Sequence, residues 1–413
     1  MNTNILTEFK NRGYFFQCTN EKYLEKLLSS KKIAFYIGFD CTAPSLHVGS
    51  LIQIMCLRLF QKYGHTPIVL LGGGTTLVGD PSGKEESRKI LTEKEINNNI
   101  KSIKKVFSKF LDHNGKNKVI YVNNKKWLAK LNYINFLRDY GKHFTINKML
   151  SFDSVKLRLE REQSLSFLEF NYMILQAYDF LELNKKNECV LQIGGSDQWG
   201  NIVNGIELIR RVNGKESYGL TTPLITTSSG AKMGKTEKGA VWLDEKQTSP
   251  YEYWQFWRNV NDADVFKYLR LFTELPINKI TDFENDKSRN INDFKIILAN
   301  EATKILHGEK ASSNAEATSK KTFQDKSFGD DLPKIEIKKS EFHKGISFNE
   351  LIIKINFAKS NGEFRRNISN KGYRINNEIV LDEKKIVTQD DFKGEKIIKI
   401  SFGKKQHVLI EAI

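Results

Sequence analysis

Three side chains in this sequence are well suited to handling phosphate: His47, Lys232 and Lys235. His47 sits in Ser45-Leu46-His47-Val48-Gly49-Ser50. An imidazole can donate to a phosphate oxygen, and Gly49 two residues on leaves room for a nucleotide against the backbone. Lys232 and Lys235 flank Met233-Gly234 and precede Thr236, in a segment rich in Thr, Ser and Gly. Two ammonium groups on such a loop suit transient contact with polyphosphate. Each motif alone has an ordinary reading, a helix cap for the histidine and a solvated turn for the lysines. Two carboxylates stand beside glycines. Asp80 lies in Gly79-Asp80-Pro81-Ser82-Gly83-Lys84, and Asp197 follows Gly194-Gly195-Ser196. The first stretch fails as a P-loop: three residues separate Gly79 from Gly83 where four are needed, and Glu85 follows Lys84 where Ser or Thr would hold magnesium. It reads as a loop that aims Asp80 at a substrate.

The elements around these residues form two strand-to-helix joints. Residues 33–39 have the composition of a buried strand. Pro44 breaks it, Ser45 can cap, and an apolar helix runs from residue 51 to Gly64, followed by a strand at 67–71. This is a βαβ unit, and its joint is a natural anion site. A second joint follows the strand at 189–193, with Asp197 opening a helix that reaches Arg210-Arg211. An Asp there is ordinarily an N-cap, but its place after two glycines favours a functional reading. Residues 5–30 read as amphipathic helix, 92–111 as a polar helix and 118–122 as a third strand. The predicted class is α/β: a Rossmann-like parallel-sheet nucleotide-binding domain with a helical insertion, then an α-helical domain and a small α+β domain.

The 413 residues carry 65 Lys and Arg against 49 Asp and Glu, a net charge of +16. That balance suits a polyanionic partner, although Lys, Asn and Ile are abundant throughout and a compositional bias gives the same number. Cys18, Cys41, Cys56 and Cys189 form no C-x-x-C pair, which indicates neither a disulfide framework nor a cysteine zinc site. The absence of a long apolar run and of a signal-like N-terminus predicts a cytoplasmic protein with no membrane association.

Taken together, the His47–Ser50 and Lys232–Thr236 motifs resemble the two signatures of class I aminoacyl-tRNA synthetases. With Tyr36, Asp40, the 79–83 stretch, the 171–180 stretch and Leu191-Gln192-Ile193-Gly194-Gly195-Ser196-Asp197-Gln198, the chain resembles bacterial-type tyrosyl-tRNA synthetases. The resemblance implies activation of L-tyrosine with ATP and transfer to tRNA(Tyr). Mg²⁺ would arrive with ATP, and no protein-bound metal or organic cofactor is implied. It implies that Thr42, His47, Lys232, Lys235 and Thr236 act on the phosphates. Asp40, Gly49, Ser50, Gly194 and Asp197 would bind ATP, and Asp80, Tyr172, Gln176 and Gln198 the amino acid end of tyrosine or the adenylate. Tyr36 and Asp179 would meet the phenol. Lys84 and Arg88 would touch the tRNA acceptor end, and the cluster Arg365, Arg366 and Lys371 would bind RNA in the last domain.

Tyr172, Gln176 and Asp179 fall on one helix face, a polar face in an apolar segment that a ligand would satisfy. Ser50 and Ile37 depart from the commoner family pattern, each removing a possible polar contact. The domains implied are 1–222 with a connective insertion at about 126–184, a linker at 223–247 carrying the lysine loop, a helical domain at 248–325 facing the anticodon stem, and an RNA-binding module at 340–413. The insertion supplies a homodimer interface in the family, while its periodicity fits a helix buried in its own subunit equally well. Two rivals remain at this point: a tryptophanyl relative, and an RNA-binding protein that kept the fold without the chemistry.

Overall fold

The structure is a computed structural model. It describes residues 4–80, 91–228, 230, 233–236, 239–323, 332–392, 396–403 and 406–413, with the backbone alone at 153, 154, 235, 236, 322 and 323. The chain divides into two compact units, Met1–Thr248 with Phe256–Leu306, and Ser249–Gln255 with His307–Ile413.

The first unit is built on a six-stranded sheet. In chain order its elements begin α1 (Ile5–Asn11), β1 (Gln17–Cys18), α2 (Glu21–Ser30), β2 (Ala34–Phe39), α3 (Leu51–Lys62), β3 (Thr66–Leu71), α4 (Glu93–Phe107) and β4 (Ile120–Asn123). Five helices follow, α5 (Lys125–Leu128), α6 (Tyr133–Asp139), α7 (Ile146–Leu150), α8 (Asp153–Glu160) and α9 (Phe167–Asn187). Then come β5 (Cys189–Gly195), α10 (Trp199–Asn213) and β6 (Tyr218–Thr222). The strand order is β1-β6-β5-β2-β3-β4, parallel except for β1. From β2 the chain winds towards β3, and from β5 it winds the other way towards β6. The crevice between the C-terminal ends of β2 and β5 is therefore the switch point where such sheets bind ligands.

Strand β2 is buried on both faces, which explains its uninterrupted apolar run. Phe35 packs on Phe60 of α3 with ring centroids 4.8 Å apart, while Tyr36 faces Phe180 of α9 at 5.2 Å. Gly64, at φ 86°, closes the turn after α3 as its sequence suggests. The stretch 5–30 differs from expectation, being two helices separated by β1. Gly13 at φ 84° turns the chain after α1, and the backbone at 17–18 then pairs antiparallel with Thr221 and Leu220 of β6. Periodicity cannot reveal that pairing, because its partner lies two hundred residues away.

His65 carries a pH dependence of the fold. It is buried beside Phe60, its Nδ1 accepts from the Ile33 amide at 3.2 Å, and Nε2 has no partner. Burial, helped by the Lys32 charge, pushes its pKa down to about 4. The folded value lies below the unfolded one, so the native state binds fewer protons. Stability is full above pH 6.5 and is lost as pH falls towards 4. We expect wild type to lose about 2 kcal/mol more than His65→Asn between pH 7 and 5 in urea unfolding, the Asn Oδ1 standing in for Nδ1. Equal losses in both proteins would contradict this.

Further helices of the first unit include α12 (Val265–Phe272) and α13 (Ile277–Asn285), after α11 (Pro250–Arg258); α14 (Ile291–His307) follows. Ser249 and Glu252 form a capping box at the start of α11. The second unit contains α15 (Glu309–Phe323) and a five-stranded sheet in the 334–412 stretch, covered by helices Phe348–Lys354 and Asn361–Ser369. Its core gathers Phe348, Leu351, Phe364, Tyr373, Ile398, Ile400 and Val408. Arg365, Arg366 and Lys371 are all exposed on this unit.

Candidate active site

A cavity of about 370 Å³ opens at the switch point. Its wall brings together thirteen of the residues singled out from the sequence: Tyr36, Asp40, Thr42, His47, Gly49, Ser50, Asp80, Tyr172, Gln176, Asp179, Gly194, Asp197 and Gln198. Lys84, Arg88 and Lys232 lie outside the described residues, as do the side chains of Lys235 and Thr236.

The turn after β2 is built differently from the sequence reading. Ser45 is buried and donates to the Leu46 carbonyl at 2.9 Å, so it does not cap the helix. His47 is the N-cap of a short 3₁₀ turn, Val48–Ser50, and its Nδ1 accepts from the Gly49 amide at 3.0 Å. That contact leaves the proton of the neutral ring on Nε2. The turn is clamped against a distant segment: the Val48 amide donates to Val241, the Leu243 amide to Leu46, and His47 bridges Trp242. The lysine-loop backbone comes equally close. An added Cβ on Gly234 would lie 2.9 Å from the Gly49 nitrogen. Glycine at 49 and 234 is therefore a packing requirement between the two signature motifs. At the second joint, Asp197 is not an N-cap residue. Gly195 precedes the 3₁₀ turn Ser196–Gln198 and Gln198 precedes α10.

The floor of the cavity is a buried polar cluster. Asp179 on α9 is 1% exposed, and its oxygens accept from Trp127 Nε1 at 2.7 Å and Asn124 Nδ2 at 2.9 Å. The polar face of α9 is thus satisfied within the fold, which corrects the expectation that a ligand alone would do so. Trp127, on the short helix α5, is itself nearly buried and spends its indole N–H on this carboxylate. Burial pushes the Asp179 carboxyl up to about 7 against the pull of those two donors, with Asp40 and Glu182 raising it further. Asp40 in turn accepts from Tyr172 Oη at 3.2 Å and Thr75 Oγ1 at 2.9 Å. Near the mouth, Gln198 donates to Asp80 at 2.9 Å, and Asn201 donates to both Gln176 and Gln198 at 3.0 Å.

Among the described residues of the wall, Tyr36 Oη, Gln53 Oε1 and Gln192 Oε1 are buried without a partner. Tyr36 and Gln192 are direct cross-strand neighbours. Leaving buried polar atoms unpaired costs about 1–3 kcal/mol each, so they mark where a ligand's polar groups fit. Sequence reasoning missed Gln53, Thr75, Asn124 and Gln192. Gln192 stands in the 191–198 stretch without a role of its own, the other three stand in no motif, and only the folded chain brings them to the site. Among the described residues no group of three or more His, Cys, Asp or Glu is arranged to hold a metal, and no helix is long and apolar enough to cross a membrane.

A parallel sheet with a switch-point cavity, a histidine turn and a lysine loop packed on it defines a class I tRNA synthetase. The family model described as tRNA synthetases class I (W and Y) matches residues 28–324, and the chain belongs to that family. Its full-length relatives place it among the tyrosyl-tRNA synthetases. It is 60% identical to a tyrosine–tRNA ligase of Pelagibacter ubique, over 99% of both chains. It is 55% identical to one of Zymomonas mobilis, over 99% of this chain and 98% of that one. Among solved structures, a C-terminally truncated mitochondrial tyrosyl-tRNA synthetase of Aspergillus nidulans superposes with a TM-score of 0.70. The two are 30% identical, and the match covers 78% of this chain and 95% of that one.

Proposed function

We propose that this cavity performs the tyrosine–tRNA ligase reaction. A tyrosine carboxylate oxygen attacks the α-phosphorus of ATP, the bond to the bridging oxygen breaks, and pyrophosphate leaves. The 3′-terminal ribose hydroxyl of tRNA(Tyr) then attacks the tyrosyl carbonyl and releases AMP. The carboxylate is already a nucleophile, so the first step depends on positioning and on donors aimed at developing charge. Mg²⁺ enters with ATP as part of that substrate.

The unpartnered Tyr36 hydroxyl beside buried Asp179 is the observation that carries the reading. Tyrosine fills the floor, its phenol donating to the Asp179 carboxylate and accepting from the Tyr36 hydroxyl. Its ammonium meets Asp80, Tyr172 and Gln176, and Gln198 lies beside the adenylate. The nucleotide lies against Gly49 and Gly194, with Asp40, Ser50 and Asp197 on its polar edge. His47 donates from Nε2 to the phosphates, joined by Thr42, Lys232, Lys235 and Thr236. Lys84 and Arg88 meet the tRNA acceptor end, and the exposed Arg365, Arg366 and Lys371 bind the RNA backbone further off. Exchange of pyrophosphate into ATP, run with each of the twenty amino acids, tests the reading. Exchange driven by tryptophan or any other amino acid as efficiently as by tyrosine, or by none, would refute it.

The protein acts in the cytoplasm as a homodimer through the insertion. Of seventeen large hydrophobic side chains exposed among the described residues, nine fall between Tyr133 and Leu168, Ile134 and Phe167 being about 70% exposed. That concentration of apolar surface supports a second copy as its cover. Sedimentation should report a dimer for wild type and a monomer for the Ile134→Asp, Phe167→Asp double variant. A wild-type monomer at micromolar concentration would refute the interface.

A further inference from the structure

One continuous hydrogen-bond chain runs beneath the cavity, from Tyr172 through Asp40, Thr75 and Asn124 to Asp179 and Trp127. We infer that Thr75 is a positioning residue for amino-acid selection, fixing the orientation of the carboxylate that reads the tyrosine phenol. The inference rests on the tyrosine reading above and concerns a residue that does not itself meet the phenol.

Its physical basis is direction. An ionised carboxylate can only accept, so the Thr75 hydroxyl spends its one proton on Asp40 Oδ1 at 2.9 Å. Its lone pairs then face Asn124 and can take only the amide NH₂, which donates from Nδ2 at 3.0 Å. The Asn124 carbonyl oxygen is held in place from the other side by the Gly74 amide at 2.8 Å. With both ends of that amide fixed, the second N–H of Nδ2 has one direction left, towards Asp179 Oδ2 at 2.9 Å. Thr75, Asn124 and Asp179 are 3%, 0% and 1% exposed, so water cannot replace a lost link.

The backbone is shaped for this relay. Thr75 opens a 3₁₀ turn, Thr75–Leu77, directly after three glycines. A Cβ on Gly72 would sit 2.4 Å from Asp40 Oδ1 and 2.6 Å from Thr75 Oγ1, so glycine at 72 is what lets these two meet. The glycine-rich stretch thereby serves the amino-acid pocket from below, in addition to delivering Asp80 to its wall.

The test is tyrosine- and phenylalanine-dependent pyrophosphate exchange by full-length wild type, Thr75→Val and Thr75→Ser, each checked for folding by thermal melting. Valine keeps the shape and removes the hydroxyl. Asn124 then loses one partner and its hold on Asp179 loosens. The ratio of kcat/KM for tyrosine over phenylalanine should fall about tenfold, the effect of one buried hydrogen bond left unmade. Phenylalanine has no hydroxyl to offer Asp179, so its own kcat/KM changes less. Serine restores the hydroxyl and should return the ratio to within about threefold of wild type. A folded Thr75→Val whose ratio stays within twofold of wild type overturns the inference. So does an equal fall for both amino acids, or a serine variant as impaired as valine. A wild type that shows no preference for tyrosine would instead defeat the parent reading.

Discussion

Asp179→Ala should lower kcat/KM for tyrosine activation by roughly 10²–10³ and leave phenylalanine activation nearly unchanged. The phenol loses a charge-assisted bond, and Asn124 and Trp127 lose the acceptor they share in a site 1% exposed. Phenylalanine offers no hydroxyl, so wild type pays a desolvated, incompletely used carboxylate when it binds. A site built around a substrate hydroxyl rejects the analogue lacking it, a rule for which synthetases of this kind are the standard illustration. The variant should therefore lose selectivity mainly by losing tyrosine.

The raised pKa adds a pH signature. Burial holds the Asp179 carboxyl at about 7, with the Asp40 and Glu182 charges raising it further. The phenol requires the ionised form as acceptor, so kcat/KM for tyrosine should fall as pH drops through about 7, and the phenylalanine profile should lack that limb. Measuring both amino acids by pyrophosphate exchange from pH 6 to 9 decides the matter. Unchanged selectivity in Asp179→Ala, or identical pH profiles for the two amino acids, would show that another residue reads the phenol.

His47→Ala should slow tyrosyl-adenylate formation by about 10²–10³ with little change in tyrosine affinity, the usual cost of deleting a donor aimed at developing charge. The Gly49 amide occupies Nδ1 and so fixes the ring as an Nε2 donor in the cavity wall. No reorganisation is then needed when charge builds on the phosphate. Glutamine, whose Nε2 has similar reach, should recover part of the rate. Single-turnover measurement of adenylate formation separates the rate from binding. A His47→Ala rate within threefold of wild type would remove the ring from the transition state.

The sequence by itself determined a good deal. Two joints, each a strand followed by glycine and a helix, are local in the chain, and periodicity and turn chemistry report local structure directly. The motif residues of the wall were legible for the same reason, since His47, Asp80 and Asp197 stand at strand ends where an α/β sheet presents its ligand site. The helix face carrying Tyr172, Gln176 and Asp179 follows from helical spacing alone.

Only the tertiary structure decided what surrounds them. Asn124 and Trp127 reach Asp179 from fifty residues away, and Thr75 reaches Asn124 across a similar gap. Hydrogen bonds between side chains on different elements leave no period in a sequence. The capping of the first joint also passed from Ser45 to His47, because the backbone there is set by its bridge to Val241–Leu243, a contact two hundred residues long. Local rules choose a plausible cap, but long-range backbone pairing fixes which residue occupies the cap position. Strand β1 was hidden for the same reason, since two residues are too few for alternation and its partner strand, β6, is distant in the chain. The protein's pocket residues were thus written locally, while their protonation, orientation and hydrogen-bond direction were settled by contacts that exist only once the chain has folded.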